Sequence, residues 1–219
     1  MFPDKKESPY WDSTGNHIVM ILMTVIFAIQ FTCDPQAQYL NGLILKHLVS
    51  LSLFMYLWLH VDFVHIVSNL ILLWIFGRYV CSKVGNAGYF LAYLATGIAA
   101  GTVHCIYDGR PVIGASGAIM GILGIYVVLC FKRFGPAGPW LILVWFLMSL
   151  AASFTGTAGI SYLAHVGGFC AGIIIAAILV FFNIAETDET GQSLLNLLSP
   201  LSIYIPSGKA KRFTKLPEL

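Results

Sequence analysis

Two short stretches about fifty residues apart carry the side chains that could do covalent chemistry: Gly114-Ala115-Ser116-Gly117 and Ala164-His165-Val166-Gly167-Gly168-Phe169. A serine hydroxyl becomes a nucleophile when a base takes its proton, and His165 is the only histidine in the second half of the chain. Both stretches sit in apolar sequence, where a polar group is costly unless partnered, so each is a functional-site hypothesis by default. Gly114 permits a backbone that a Cβ would resist, and so frees an amide to face a developing oxyanion. Ser116 opens an apolar run, and a helix starting there would add a dipole that favours negative charge. A third stretch supplies donors: His65 and Asn69, at i and i+4, share one helix face, with His60 and Asp62 just before them. Nucleophile, base and oxyanion donors on separate elements are the parts of an acyl-transfer site. From Phe134 to Ala185 there is not one Asp, Glu, Lys or Arg, so the pattern predicts a Ser–His dyad rather than a triad.

The elements that must position these residues are membrane spans. Charged residues make up 10% of the chain, hydrophobic residues 58%, and the mean hydropathy is +0.82. A soluble domain carries about 25% charged residues, so this composition belongs in a bilayer. The net charge of +2 comes without a basic block, which argues against a nucleic-acid partner. Five scattered cysteines (Cys33, Cys81, Cys105, Cys130, Cys170) show no CxxC and read as buried thiols, although Cys33 and Cys105 fall on one membrane face and could form one bridge. No metal or cofactor is expected.

Taken in order, residues 1–16 form a short polar segment, not shaped like a signal peptide, and the first span runs from about Ile18 to Phe31. Residues 34–56 are mixed and partly amphipathic, which predicts a helical loop lying in the interface. Further spans are predicted over about 57–80, 88–106, 116–131, 139–154 and 160–182, with turns at Arg78–Asn86, Asp108–Pro111 and Thr155–Gly159. The expected fold is therefore all-α, a polytopic membrane protein with a core over 17–183 of six helices and a polar tail over 184–219. Ten of the twelve Lys and Arg fall on one side under this count, Lys46 and Arg110 being the exceptions, which predicts that both termini are cytoplasmic. Even-numbered spans then run from outside to inside. That places His60, His65 and Asn69, Ser116, and His165 all at the outer end of their spans. Gly117-xxx-Gly121 and Gly168-xxx-Gly172 would let spans four and six approach closely enough for Ser116 and His165 to meet.

Each residue also has a purely structural reading. GxSG is short and small residues are common at helix contacts. A lone histidine is often packed against a carbonyl, His65 and Asn69 could simply tie span two to its neighbours, and Asp62 reads as a cap for span two. His17, His47 and His104 lie near span ends and receive no role. The constellation is more specific than its members.

That constellation resembles the rhomboid family of intramembrane serine proteases: Gly114-Ala115-Ser116-Gly117 in span four, Ala164-His165 followed by Gly168 and Gly172 in span six, and His60…His65-xxx-Asn69 in span two. The resemblance covers about residues 17 to 183 and implies a six-helix rhomboid-like bundle that hydrolyses peptide bonds in or near transmembrane segments of other membrane proteins. It implies Ser116 as nucleophile and His165 as general base and acid. His65, Asn69 and the Ser116 amide would form the oxyanion hole, with Gly114 shaping the turn and His60 structural. Two departures are visible. Residues 34–56 lack the Trp-Arg pair that many members carry after span one, and Met120 stands where many carry a tyrosine one turn after the serine. Neither removes a reacting group. A bacterial inner membrane is the expected location, with the lipid bilayer and transmembrane protein substrates as partners. Rival readings are a non-catalytic relative that binds transmembrane segments, and a small transporter using His60, Asp62, His65 and His165 as a relay. The transporter would want inverted repeats, and the sequence shows no such symmetry.

Overall fold

The computed structural model describes residues 13–32, 50–108, 110–130 and 161–185. The helices within them are α1 (Thr14–Thr32), α2 (Ser50–Met55), α3 (Phe63–Leu72), α4 (Arg78–Tyr107), α5 (Ser116–Leu129) and α6 (Tyr162–Phe181). A 3₁₀ turn over Tyr56–Trp58 follows α2, and a π-turn over Leu73–Gly77 joins α3 to α4 without a break. The expected fifth span (139–154), the turn at 155–159, most of the 34–56 loop and both polar ends lie outside the described residues. The fold is all-helical in its regular elements and membrane-spanning, with three helices long and apolar enough to cross a bilayer among the described residues: Thr14–Thr32, Phe63–Tyr107 and Tyr162–Phe181.

The 45-residue helix Phe63–Tyr107 is far longer than the ~20 residues one crossing needs. It is divided at Gly85, whose φ of 76° and ψ of 165° only glycine adopts readily, inside the predicted turn between spans two and three. Asn86, next in the chain, accepts the backbone N–H of Gly15 at 2.8 Å, so the start of α1 sits beside this turn. The end of α1 is fixed at the opposite end of α3. There the Gln30 amide donates to the His60 carbonyl at 2.6 Å and accepts the His60 N–H at 3.0 Å. Helix α1 therefore runs antiparallel to α3. Asn16 donates to the Leu73 carbonyl at 3.1 Å and accepts the Tyr89 hydroxyl at 2.6 Å, occupying a carbonyl of the π-turn.

The second span begins later than the sequence suggests. Its helix starts at Phe63 rather than near Leu57, because Asp62 takes an extended conformation and its carboxylate accepts the His65 N–H at 2.7 Å. Asp62 is thus the cap that its place at the head of the span predicts. Tyr56, Leu57 and Trp58 are buried. Tyr56 donates its hydroxyl to the Gly97 carbonyl at 2.6 Å, and the Trp58 ring lies 5.5 Å from that of Tyr93. Tyr56 and the two residues after it therefore turn into the protein, while Leu51 and Phe54 of α2 stay exposed. Residues 34–49, on which most of the expected interfacial helical loop falls, lie outside the described residues.

Helix α5 is buried from Gly117 to Leu129. A helix with no charge and no polar stripe has no face to offer water or to orient against lipid, so it takes the centre. Its contact with α6 is made backbone to backbone. A Cβ on Gly168 would strike the Gly117 carbonyl, one on Gly172 the Gly121 carbonyl, and one on Gly124 the Phe169 carbonyl. The pairing of 117 with 168 and 121 with 172 makes α5 and α6 parallel, so their N-terminal ends lie together. Helix α4 closes the groove between them, with Thr96 against Gly121, Ala100 against Gly117 and Gly168, and Val103 against Gly167. Cys105 is a free thiol, and Cys33, on which the possible bridge also depends, lies outside the described residues.

This packing sets a test. Gly172→Val forces β-carbon atoms onto the Gly121 backbone and is expected to destabilise the protein by about 1–3 kcal/mol. At Gly88 an added Cβ meets only Val84 side-chain atoms, at 3.5 Å and 3.6 Å, so Gly88→Ala is expected to be neutral or to stabilise by up to about 1 kcal/mol through helix propensity. Unfolding of both variants in mixed micelles by a denaturing detergent checks the contrast, and equal midpoints would contradict the packing.

Candidate active site

Four chain segments converge at one end of the bundle: the heads of α3, α5 and α6 and the end of α4. Ser116 is the first residue of α5, and His165 lies one turn into α6. His165 Nε2 and Ser116 Oγ are 2.9 Å apart, a hydrogen bond joining residues 49 apart in sequence. The hydroxyl donates to Nε2 when the ring proton is on Nδ1. His165 is 5% exposed, and its Nδ1 has no hydrogen-bond partner among the described residues.

The turn before the serine is held from two sides. Gly114 has a φ of 126°, and its N–H donates to the Tyr56 carbonyl at 2.9 Å. A Cβ on Gly114 would come within 2.7 Å of His65 Cε1 and 2.8 Å of His65 Nε2. Glycine is required there twice over: for its backbone, and because the His65 imidazole lies against it. The structure therefore brings His65 to the turn that presents Ser116. Asn69, one turn further along α3, is buried, and its Nδ2 has no partner among the described residues. The His60 ring is fully buried 5.1 Å from the His65 ring, also near Phe27, and neither of its nitrogens has a hydrogen-bond partner among the described residues. Its main chain, by contrast, is fully engaged by Gln30. Gly168 belongs to the helix contact under the site, against the Gly117 carbonyl. Met120 is fully buried one turn after Ser116.

A nucleophile paired with a base, beside a helix head with free N–H groups and side-chain donors, can support attack on a carbonyl and hold the negative charge that results. No group of three or more His, Cys, Asp or Glu able to hold a metal ion occurs among the described residues. Three contributors were not read from the sequence. Gln30 looks like an ordinary polar residue at a span end. His104 lies at the end of α4, where it bonds both Ser161 and Arg110. Ser161, which caps α6 by accepting the Ala164 N–H at 3.2 Å, did carry a signal: a serine just before an apolar run and four residues ahead of His165.

Comparison with known proteins identifies the family. The Rhomboid domain model matches residues 48–182, more than half of the chain. Rhomboid protease GluP of Bacillus subtilis (strain 168) is 33% identical over 150 residues, which are 67% of this chain and 29% of that protein. Rhomboid-like protein 11, chloroplastic, of Arabidopsis thaliana is 31% identical over 147 residues, 59% of this chain and 52% of that one. Rhomboid-type serine protease 2 of Emericella nidulans is 32% identical over 124 residues, 54% of this chain and 25% of that one. The chain thus spans from a quarter to about half of the length of these relatives. An apolar helical bundle and a family match over most of the described core lead to one conclusion: the chain is an integral membrane protein belonging to the rhomboid family, in which the Bacillus subtilis relative is named as a protease and the Emericella nidulans relative as a serine protease.

Proposed function

We propose that this protein is an intramembrane serine endopeptidase that hydrolyses peptide bonds in or near transmembrane segments of membrane proteins. The observation that carries this reading is the 2.9 Å hydrogen bond between Ser116 and His165. Family membership supports the reaction class.

In this reading Ser116 Oγ attacks the scissile carbonyl carbon while its proton passes to His165 Nε2. The carbonyl oxygen becomes an oxyanion, held by the Ser116 amide at the head of α5 and by donors from His65 and Asn69. As the tetrahedral intermediate collapses, Nε2–H protonates the departing amine and an acyl-enzyme remains. Water, deprotonated by the same nitrogen, then releases the carboxylic acid product and restores the serine. Ser116 and His65 are only partly buried, so substrate and water reach the site from that end. His60 serves as a structural imidazole beside His65. The cation bias supports a site at the outer end of the bundle with both termini in the cytoplasm, and the membrane of this reading is a bacterial inner membrane. A substrate segment must expose its backbone carbonyl, so helix-breaking residues near the cut favour cleavage.

Ser116→Ala and His165→Ala are each expected to lower cleavage of a single-span reporter protein by at least about 10³-fold while leaving the protein folded. Labelling of Ser116 by a fluorophosphonate probe should disappear in both, and undiminished cleavage by either would dispose of the assignment. Asn69→Ala is expected to slow turnover about 10²- to 10³-fold if its amide is an oxyanion donor, and an unchanged rate removes it from that role. Gly114→Ala meets both the backbone strain and the His65 ring. It is expected to cost roughly 1–3 kcal/mol of stability and to depress activity further than that loss of folded protein explains, read from cleavage rate and melting temperature together.

A further inference from the structure

We propose that His104 is a positioning residue that locks the heads of the Ser116 and His165 helices to each other, an inference that rests on the catalytic reading above. His104 is 2% exposed and lies in the last turn of α4, one turn beyond Ala100, which fits between Gly117 and Gly168. Each of its ring nitrogens takes a partner from a different element. Nε2 faces the Arg110 carbonyl at 2.6 Å, and Nδ1 faces Ser161 Oγ at 2.5 Å.

The direction of every bond follows from one fact. A carbonyl oxygen only accepts, so Nε2 carries the proton and, in the neutral ring, Nδ1 is an acceptor. Ser161 therefore donates its hydroxyl to Nδ1 while its oxygen accepts the Ala164 N–H at 3.2 Å. The result is an unbroken chain from Ala164 N–H through the Ser161 hydroxyl and the His104 ring to the Arg110 carbonyl. One end of that chain is the first turn of α6, which ends at His165. The other is the first residue of the strap that leads to Ser116. The strap is pinned again by Gly114 N–H on the Tyr56 carbonyl, so it is fixed at its start and just before the serine. Arg110 is held in turn by Asp108, through Nε to Oδ1 at 2.5 Å and Nη2 to Oδ2 at 2.8 Å. These hydrogen bonds keep the Asp108 carboxyl below the usual carboxylate range, and Asp108 Oδ2 lies 3.8 Å from His104 Nδ1.

The two arms can be cut separately. Asparagine at position 104 can place an acceptor where Nδ1 stands and so keep the Ser161 arm, and glutamine can place a donor where Nε2 stands and so keep the Arg110 arm. Leucine keeps neither. With the full chain in detergent micelles and the single-span reporter as substrate, His104→Leu is expected to lower kcat about tenfold to a hundredfold, the range a displacement of about 1 Å produces. KM should move by less than about twofold, since substrate contacts are untouched. The rate of fluorophosphonate labelling at Ser116 should fall in step with kcat, and His104→Gln and His104→Asn should each fall less. Ser161→Ala should cost less in the His104→Leu background than in the wild-type protein, because the arm it removes is already gone.

Wild-type kcat and labelling rate in His104→Leu overturn the inference. If that variant does not fold, wild-type rates in both His104→Gln and His104→Asn do the same. Rates that fall only in proportion to lost folded protein, judged by melting, overturn it as well. The catalytic reading fails differently: Ser116→Ala then cleaves the reporter, or wild-type Ser116 does not react with the probe. A dead Ser116→Ala beside a fully active His104→Leu sinks the positioning role alone.

Discussion

Everything at the site depends on how closely α5 and α6 approach. Lipid gives two apolar helices no hydrophobic reason to associate, so their contact must come from packing, and packing at backbone distance requires the absence of side chains. Gly117, Gly121 and Gly124 on one helix and Gly168 and Gly172 on the other supply that absence in register. Ser116 and His165 sit just above this seam, and their 2.9 Å hydrogen bond is near the middle of the useful range. A widening of the seam by one methyl group would take the pair out of it. The proposed chemistry would therefore need the glycines as much as the hydroxyl and the imidazole.

A second constraint is where polar groups are satisfied and where they are not. At the site end of the bundle, Gln30, Asp62, Tyr56 and Ser161 each spend a side chain on a backbone group. Those bonds fix the positions of the helix heads. The nitrogens of His60, the Asn69 amide and His165 Nδ1 have no such partner among the described residues. A buried polar group without a partner costs about 1–3 kcal/mol, and several together approach the whole stability of a small protein. A fold tolerates that concentration where the groups are wanted for something outside the chain itself, such as water or substrate.

Much of this could be read from the residues and some could not. Ser116 at the head of a helix, His165 one turn into another, and the paired Gly-xxx-Gly seam follow from types and spacing, because glycine and polar residues in apolar sequence have few uses. The turn at Gly85 was legible for the same reason. The start of α3 was misjudged because Leu57 and Trp58 are apolar enough to continue a span, while the cap at Asp62 and the inward packing of Tyr56–Trp58 are tertiary facts. His104 and Gln30 were opaque. A histidine or glutamine at a span end has the same composition whether it faces water or bridges two helices, and only the partners' positions distinguish the cases. The fifth span and the loop over 34–49 fall outside the described residues and rest on hydropathy alone.

The carboxylates near the site bear on how a serine and histidine could work there. Asp62 is committed to the head of α3 and Asp108 to Arg110, so neither is turned toward His165 Nδ1. In a Ser–His–Asp triad the acid fixes the imidazole tautomer and stabilises the imidazolium, and neutralising it costs about 10⁴ in rate. A catalyst without that acid must set the tautomer by the serine hydroxyl alone and bear a less stabilised cation. What remains to lower the barrier is the orientation of the pair and the donors that meet the oxyanion, worth on the order of 10²–10³ per donor. Under the proposed reading, the side-chain hydrogen bonds of the described residues at this end go to the positions of the helix heads, and none goes to the charge of the base. On that reading, rigidity at the helix heads would take the part that an acid plays in a triad.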